Sequence, residues 1–295
     1  MPEPDPGASP PTSTEPARDE QWLPGYEIVG ALASGGMAEI FLAWQTKSGG
    51  FRRKVVLKRI HRHLLADETF VQMFLHEARV GAGLSHRNIA HTYDVTQSRE
   101  GDYVIVMEYV RGASVQKVLR ALRARGARMP IPVAVAVASE ICEAIDYAYN
   151  STGPDGEPMH VVHRDISPSN VLISLDGHVK LLDFGIAKTS AHVELTKAGN
   201  IKGKYGYMAP EQLRGEAVDC LPDYPAELEH IVMRALSRDR LQRFQSPREL
   251  ADELERCAGQ HDWTMKSLSM SAFVKSVIGA DIPEPTSAPS LPPVA

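Results

Sequence analysis

The chain has 295 residues, 32 Lys and Arg against 37 Asp and Glu for a net charge of −5, and 43% hydrophobic residues. That balance gives no general attraction to nucleic acid or acidic lipid, and the longest apolar stretch, Ile131 to Ala138, is broken by Pro132 and falls far short of the ~18 residues of a membrane span. Cys142, Cys220 and Cys257 are too dispersed for a disulfide scaffold or zinc ribbon, and no apolar signal-peptide core follows the first methionine, so a reducing cytoplasm is expected. Proline-rich segments at 1–24 and beyond about 281 lack apolar periodicity and are expected to be disordered, leaving a folded region over 25–256 and an extension over 257–295. Tyr26 to Leu32 and Glu39 to Trp44 are β-prone runs joined by Ser34-Gly35-Gly36, which predicts a hairpin, and Lys54 to Lys58 predicts a third strand. Phe70, Met73, Phe74, Glu77 and Leu84 share one face of a helix over 70–84. Tyr103 to Tyr109 reads as a buried strand, Ser114 to Ala127 as a basic amphipathic helix and Pro132 to Tyr149 as an alanine-rich buried one. A further helix is expected over 227–236. A small β-rich lobe (25–107) followed by a helical lobe (111–256) predicts an α+β molecule with a cleft between the two.

His163-Arg164-Asp165 is followed by Asn170, and 13 residues after the asparagine by Asp183-Phe184-Gly185. Ala209-Pro210-Glu211 comes 24 residues beyond that glycine, and upstream stand Lys58 on a strand and Glu77 on a helix. Each tripeptide alone is weak, but the ordered set resembles the signature of the bacterial Ser/Thr protein kinases related to the eukaryotic ones, the Hanks-type family. The resemblance covers about Tyr26 to Leu254 and implies a two-lobed protein-kinase-like fold that lacks part of the usual helices after Ala209-Pro210-Glu211. It also implies ATP as substrate, Mg²⁺ (or Mn²⁺) as cofactor and proteins as phosphate acceptors.

The residue types suit that chemistry. Phosphoryl transfer spreads negative charge over oxygens, so positioned cations do most of the work. The resemblance gives Lys58 the α and β phosphates, Glu77 the orientation of that lysine, and Asp183 and Asn170 the metal ions, for which hard oxygen donors are apt. Asp165 would take the proton of the acceptor hydroxyl. Leu32, Ala33, Ser34, Gly35, Gly36, Met37, Ala38 and Ile40 form the expected phosphate-covering loop. Met107, with Glu108 and Val110 of the segment after it, is the expected adenine-binding hinge. Arg164 beside Asp165 suggests a phosphorylated segment between Asp183 and Glu211, with Thr196 as the favoured acceptor.

The sequence departs from the family pattern at four places. The loop keeps one of three glycines, since Ala33 and Ala38 stand at the outer positions, and alanine disfavours positive φ. Ser167 stands where Ser/Thr enzymes carry lysine, and Lys204 stands near the end of the segment where they carry threonine, so Lys204 is expected to restore the missing charge. Tyrosine kinases also lack that lysine, which keeps tyrosine specificity open. Finally, only 32 positions separate Glu211 from Arg243, its expected partner, where the family has a long buried helix and a docking helix. That shortage makes a nucleotide-binding pseudokinase or scaffold the main alternative. A Walker loop at Gly199 to Lys204 is one residue too short, and His61-Arg62-His63 lacks metal-ligating companions.

Overall fold

The computed structural model describes residues 22–153, 156–184 and 225–279. Five antiparallel strands open the chain: β1 (Tyr26–Ser34), β2 (Ala38–Thr46), β3 (Arg52–Ile60), β4 (Thr92–Gln97) and β5 (Tyr103–Glu108), in the spatial order β1-β2-β3-β5-β4. Strand alternation decides what each face carries. Val55 and Leu57 of β3 lie with Phe41, Val104 and Val106 in one buried cluster. Val56 and Ile60 lie with Ile105 and Met107 in another, packed on helix α1 (Glu68–Gly83). Lys58 falls in the second register and so faces the helix rather than the outer cluster.

The Asp67 side chain caps α1, accepting from Thr69 N at 2.9 Å. Phe74, Ala78 and Gly81, spaced i, i+4, i+7, are buried on one face, and Val80 is buried beside them in the core of the helical lobe. Gly81 permits close approach to β4, because a Cβ there would lie 2.6 Å from Thr92 Oγ1.

The helical lobe contains α2 (Val115–Ala124), α3 (Ile131–Asn150), α4 (Ala226–Ala235), α5 (Pro247–Gln260) and α6 (Ser267–Ile278), with a three-stranded sheet of β6 (Gly112–Ser114), β7 (Val171–Ser174) and β8 (Val179–Leu181). Its main core joins Ala144 and Ala148 of α3, Ile173 and Leu181 of the sheet, and Met270 and Val274 of α6. α5 packs along α3, and Leu228 and Ile231 of α4 share a smaller core with Leu254 and Cys257.

Two boundaries move relative to the sequence reading. Trp22 and Leu23 are 7% and 2% exposed and share a buried cluster with Phe41, so both belong to the folded region rather than to the segment expected over 1–24. The boundary expected at 256 falls within α5, and α6 belongs to the core rather than to an extension, because its stripe of Met270, Val274 and Val277 is buried. β4 is also an addition. Of the shortened stretch, 212–224 lies outside the described residues, and α4 begins 15 positions after Glu211.

Candidate active site

Lys58 reaches across from β3 to α1. Its Nζ stands 2.5 Å from Glu77 Oε1 and 3.1 Å from Asp183 Oδ2, with the lysine and glutamate side chains 11% and 12% exposed. Glu77 occupies this place because it shares the helix face of Phe74, Ala78 and Gly81. Burial alone would lower the Lys58 pKa, but the carboxylates of Asp183 and Glu77 outweigh it and raise the ammonium above its ordinary value. Burial pushes the Glu77 carboxyl upward and the lysine opposes that push. Behind the pair is a narrow cavity of about 10 Å³, room for about one water, between Glu77, Gly81, Thr92, Met107 and Phe184.

Asp165 and Asn170 are joined to each other. Asn170 Nδ2 donates to the Asp165 carbonyl at 2.9 Å and to its Oδ2 at 3.1 Å. Both amide hydrogens are thereby engaged, and Asn170 Oδ1 is left as the donor atom for a cation. His163 underlies this loop, 1% exposed. Its Nδ1 accepts from Asp165 N at 3.2 Å, so Nε2 carries the hydrogen and donates to the Leu182 carbonyl at 2.8 Å. The imidazole also lies 5.0 Å from the Phe184 ring, so both residues are structural supports of the site. Arg164 and Asp183 have φ of 62° and 40°, left-handed conformations that cost side-chain-bearing residues about 1 kcal/mol or more each and cluster at working sites.

A carboxylate on Asp183 and an amide oxygen on Asn170 make a donor set suited to a hard divalent cation whose other ligands are waters and phosphates. Among the described residues there is no His, Cys, Asp and Glu cluster of the kind that holds a structural metal.

The loop between β1 and β2 resolves one expectation. Neither Gly35 nor Gly36 has positive φ, nor do Ala33 and Ala38, and Gly35 N donates to the Ala38 carbonyl at 2.9 Å. The alanines therefore meet no backbone demand that only glycine could fill. Space above Gly36 is open within 4 Å. Leu32 is exposed at the end of the same hairpin, and Ile40 pairs with Lys58 in the sheet register. Met107 is buried at the end of β5, with Glu108 beside it and Val110 two residues past the strand. Ser167 Oγ lies 2.8 Å from Ser169 Oγ. Thr196, Lys204 and Glu211 lie outside the described residues, and Arg243 donates to the Ser237 carbonyl at 2.6 Å.

Two contributors escaped the sequence reading. Lys180 of β8 donates to Glu108 Oε2 at 3.0 Å, and the same oxygen accepts from His91 N, which ties the hinge to the strand leading into Asp183. A lone lysine in the apolar run Val179 to Leu182 was the available signal. His61 Nε2 contacts the Gly35 carbonyl at 2.7 Å and so braces the loop.

The family model described as protein kinase domain matches residues 26–224. The tyrosine-protein kinase MasK of Myxococcus xanthus is 35% identical over 323 aligned positions, covering 92% of this chain and 50% of MasK. Since 92% of 295 residues is about 271, roughly fifty of the 323 aligned positions hold MasK residues with no counterpart in this chain. The serine/threonine-protein kinase PknB of Mycobacterium leprae is 31% identical over 202 positions, covering 67% of this chain and 30% of PknB. Among solved structures, the kinase domain of Mycobacterium tuberculosis PknI has a TM-score of 0.54 at 26% identity, covering 80% of this chain and 96% of that one. The chain spans half or less of the length of the curated relatives it matches.

Proposed function

The chain belongs to the protein kinase family, among the bacterial Hanks-type kinases, and on that premise we propose that it transfers the γ-phosphoryl group of ATP to Ser and Thr hydroxyls of proteins, itself included. The observation that carries this reading is the bridge from Glu77 through Lys58 to Asp183, together with an Asp165 held by Asn170. In the transfer, the acceptor oxygen bonds to the γ-phosphorus while the bond to the β-phosphate oxygen breaks, and ADP leaves with that electron pair. Asp165 takes the hydroxyl proton on its carboxylate and sets the direction of attack. Lys58, steadied by Glu77, holds the α and β phosphates. Asp183 and Asn170 Oδ1 would hold a divalent cation, which would supply positive charge against the phosphates. Lys204 supplies the charge that Ser167 lacks, and Thr196 is the favoured site of autophosphorylation.

Transfer from γ-labelled ATP to the chain and to a generic protein acceptor tests the reading, with Asp165→Asn as control. Folded protein that binds Mg-ATP yet transfers no label would instead be a nucleotide-binding scaffold. Tyrosine specificity is the second reading, supported by Ser167 and by the name of the Myxococcus relative. Phosphoamino-acid analysis separates them: phosphoserine and phosphothreonine are expected, and phosphotyrosine alone would replace the first reading with the second. Lys204→Ala with unchanged kcat would remove the compensating role of that lysine, and an unmodified Thr196 in phosphopeptide maps would remove that acceptor.

A further inference from the structure

Outside the site, positive charge gathers on and around α2. Between Glu108 and Glu140 the chain has no acidic residue over 31 positions, where 37 acids in 295 residues would place about four. The same stretch carries Arg111, Lys117, Arg120, Arg123, Arg125 and Arg128. Val115, Val118 and Leu122 of α2 are buried, which turns Lys117, Arg120 and Arg123 outward at steps of three residues. Lys117 to Arg123 spans about 9 Å of helix. Among the described residues no carboxylate pairs with Lys117, Arg120, Arg123 or Arg128. Arg125 is different, donating to the carbonyls of Ser276 and Val277 at 2.8 and 2.6 Å, where it caps α6. The remaining series repels itself along one helix face, a tension that an anionic partner would relieve.

Position says what that partner would be. Gln116 N donates to the Pro168 carbonyl at 2.8 Å, so the first turn of α2 is fastened to the loop between Asp165 and Asn170. The cations begin beside the candidate active site and run away from it. We propose that this face of α2 is a docking surface for an acidic segment of the protein substrate, separate in sequence from the hydroxyl that receives phosphate. The choice of substrate as the partner rests on the kinase reading; the anionic surface itself does not. An acidic membrane is the less favoured occupant, because the apolar side of α2 is turned into the core and leaves nothing to insert.

The test uses the full chain. Fluorescence anisotropy at low salt compares a labelled peptide of alternating Glu and Gly, without hydroxyls, with its Gln counterpart. The parent should bind the Glu peptide about tenfold more tightly, and the preference should shrink as salt shortens the screening length. Lys117→Glu/Arg120→Glu/Arg123→Glu should abolish the preference, and the Gln version of the triple variant, which strains the fold less, should reduce it. Equal affinity for the two peptides, or an unchanged preference in both variants, overturns the proposal. So does cosedimentation with phosphatidylserine vesicles that depends on the same three residues without any peptide preference. A second arm measures kcat/KM for acceptor peptides with Glu or Gln tails, where the parent should favour Glu and the variants should not. Glu-peptide binding without phosphate transfer would leave the docking surface standing and remove the kinase reading; transfer indifferent to the tail would do the reverse.

Discussion

Lys58 facing two carboxylates at once has a consequence that a single substitution reads. Glu77→Gln keeps the volume and a hydrogen-bonding oxygen but removes the charge that orients the ammonium, while Asp183 still balances it. The expected outcome is a fall in kcat of about tenfold to a hundredfold with a melting temperature near the parent's, measured by steady-state transfer and calorimetry. His86 gives a pH signature of folding. Its pKa is lowered by burial, with Glu143 opposing, and its Nδ1 accepts from Asn88 N at 3.2 Å, which only a neutral ring can do. A depressed folded pKa means that the stabilisation is full above the unfolded value of about 6.5 and is lost as pH falls through the folded value. Melting temperature should therefore drop from pH 7 towards 5, and His86→Gln should flatten that drop. The motif residues Lys58, Glu77, Asp165, Asn170 and Asp183 were legible because phosphate chemistry demands those side chains in that order. His61 and Lys180 were not, because their partners Gly35 and Glu108 lie 26 and 72 positions away and no local pattern joins them.

Elements were legible where periodicity was clean. The hairpin, β3, α1, β5, α2 and α3 follow from alternation or from i, i+3, i+4 spacing. β4 was missed because its residues, Thr-Tyr-Asp-Val-Thr-Gln, are mostly polar, and its pairing with β5 is interrupted between Thr92 and Asp94. α6 carries Met270, Phe273, Val274 and Val277 at helical spacing, yet the neighbouring proline-rich composition drew the whole stretch into an extension. Since Val274 is fully buried against β7 and α3 residues, Val274→Ala should lower unfolding free energy by about 1–3 kcal/mol in urea titrations. An unchanged midpoint would mean that α6 is dispensable. On α1, Gly81→Ala would place a methyl against Thr92 and push the helix away from β4. Glu77 rides on that helix, so KM for ATP should rise severalfold, and Thr92→Ala in the same chain should restore it by making room.

At the scale of the whole molecule, the lobes meet through Asn88, 2% exposed, whose Nδ2 donates to Glu140 Oε2 at 2.6 Å and to the Val179 carbonyl at 3.0 Å. Residues from both lobes, Leu84 of the α1 end, Ile89, α3, β8 and Phe184, fill one core, so the helical lobe holds together around α3 with α5 and α6 on its flanks. Binding of Mg-ATP across such a cleft should stabilise the native state by about 2.7 kcal/mol at a hundredfold excess over Kd, a shift of several degrees in melting temperature. No shift in a cooperatively melting sample would exclude nucleotide binding. The segment joining α1 to β4 also reaches into the helical lobe. Leu181 N donates to the Asn88 carbonyl at 2.7 Å and Ala90 N to the Leu181 carbonyl at 2.9 Å, gripping β8 two residues before Asp183. Through β8, Asp183 is thereby fastened to the strand-rich lobe as well as to the helical one. With Lys58 of β3 3.1 Å from its Oδ2, that carboxylate takes its bearing from both lobes at once, so its direction registers how they sit against each other.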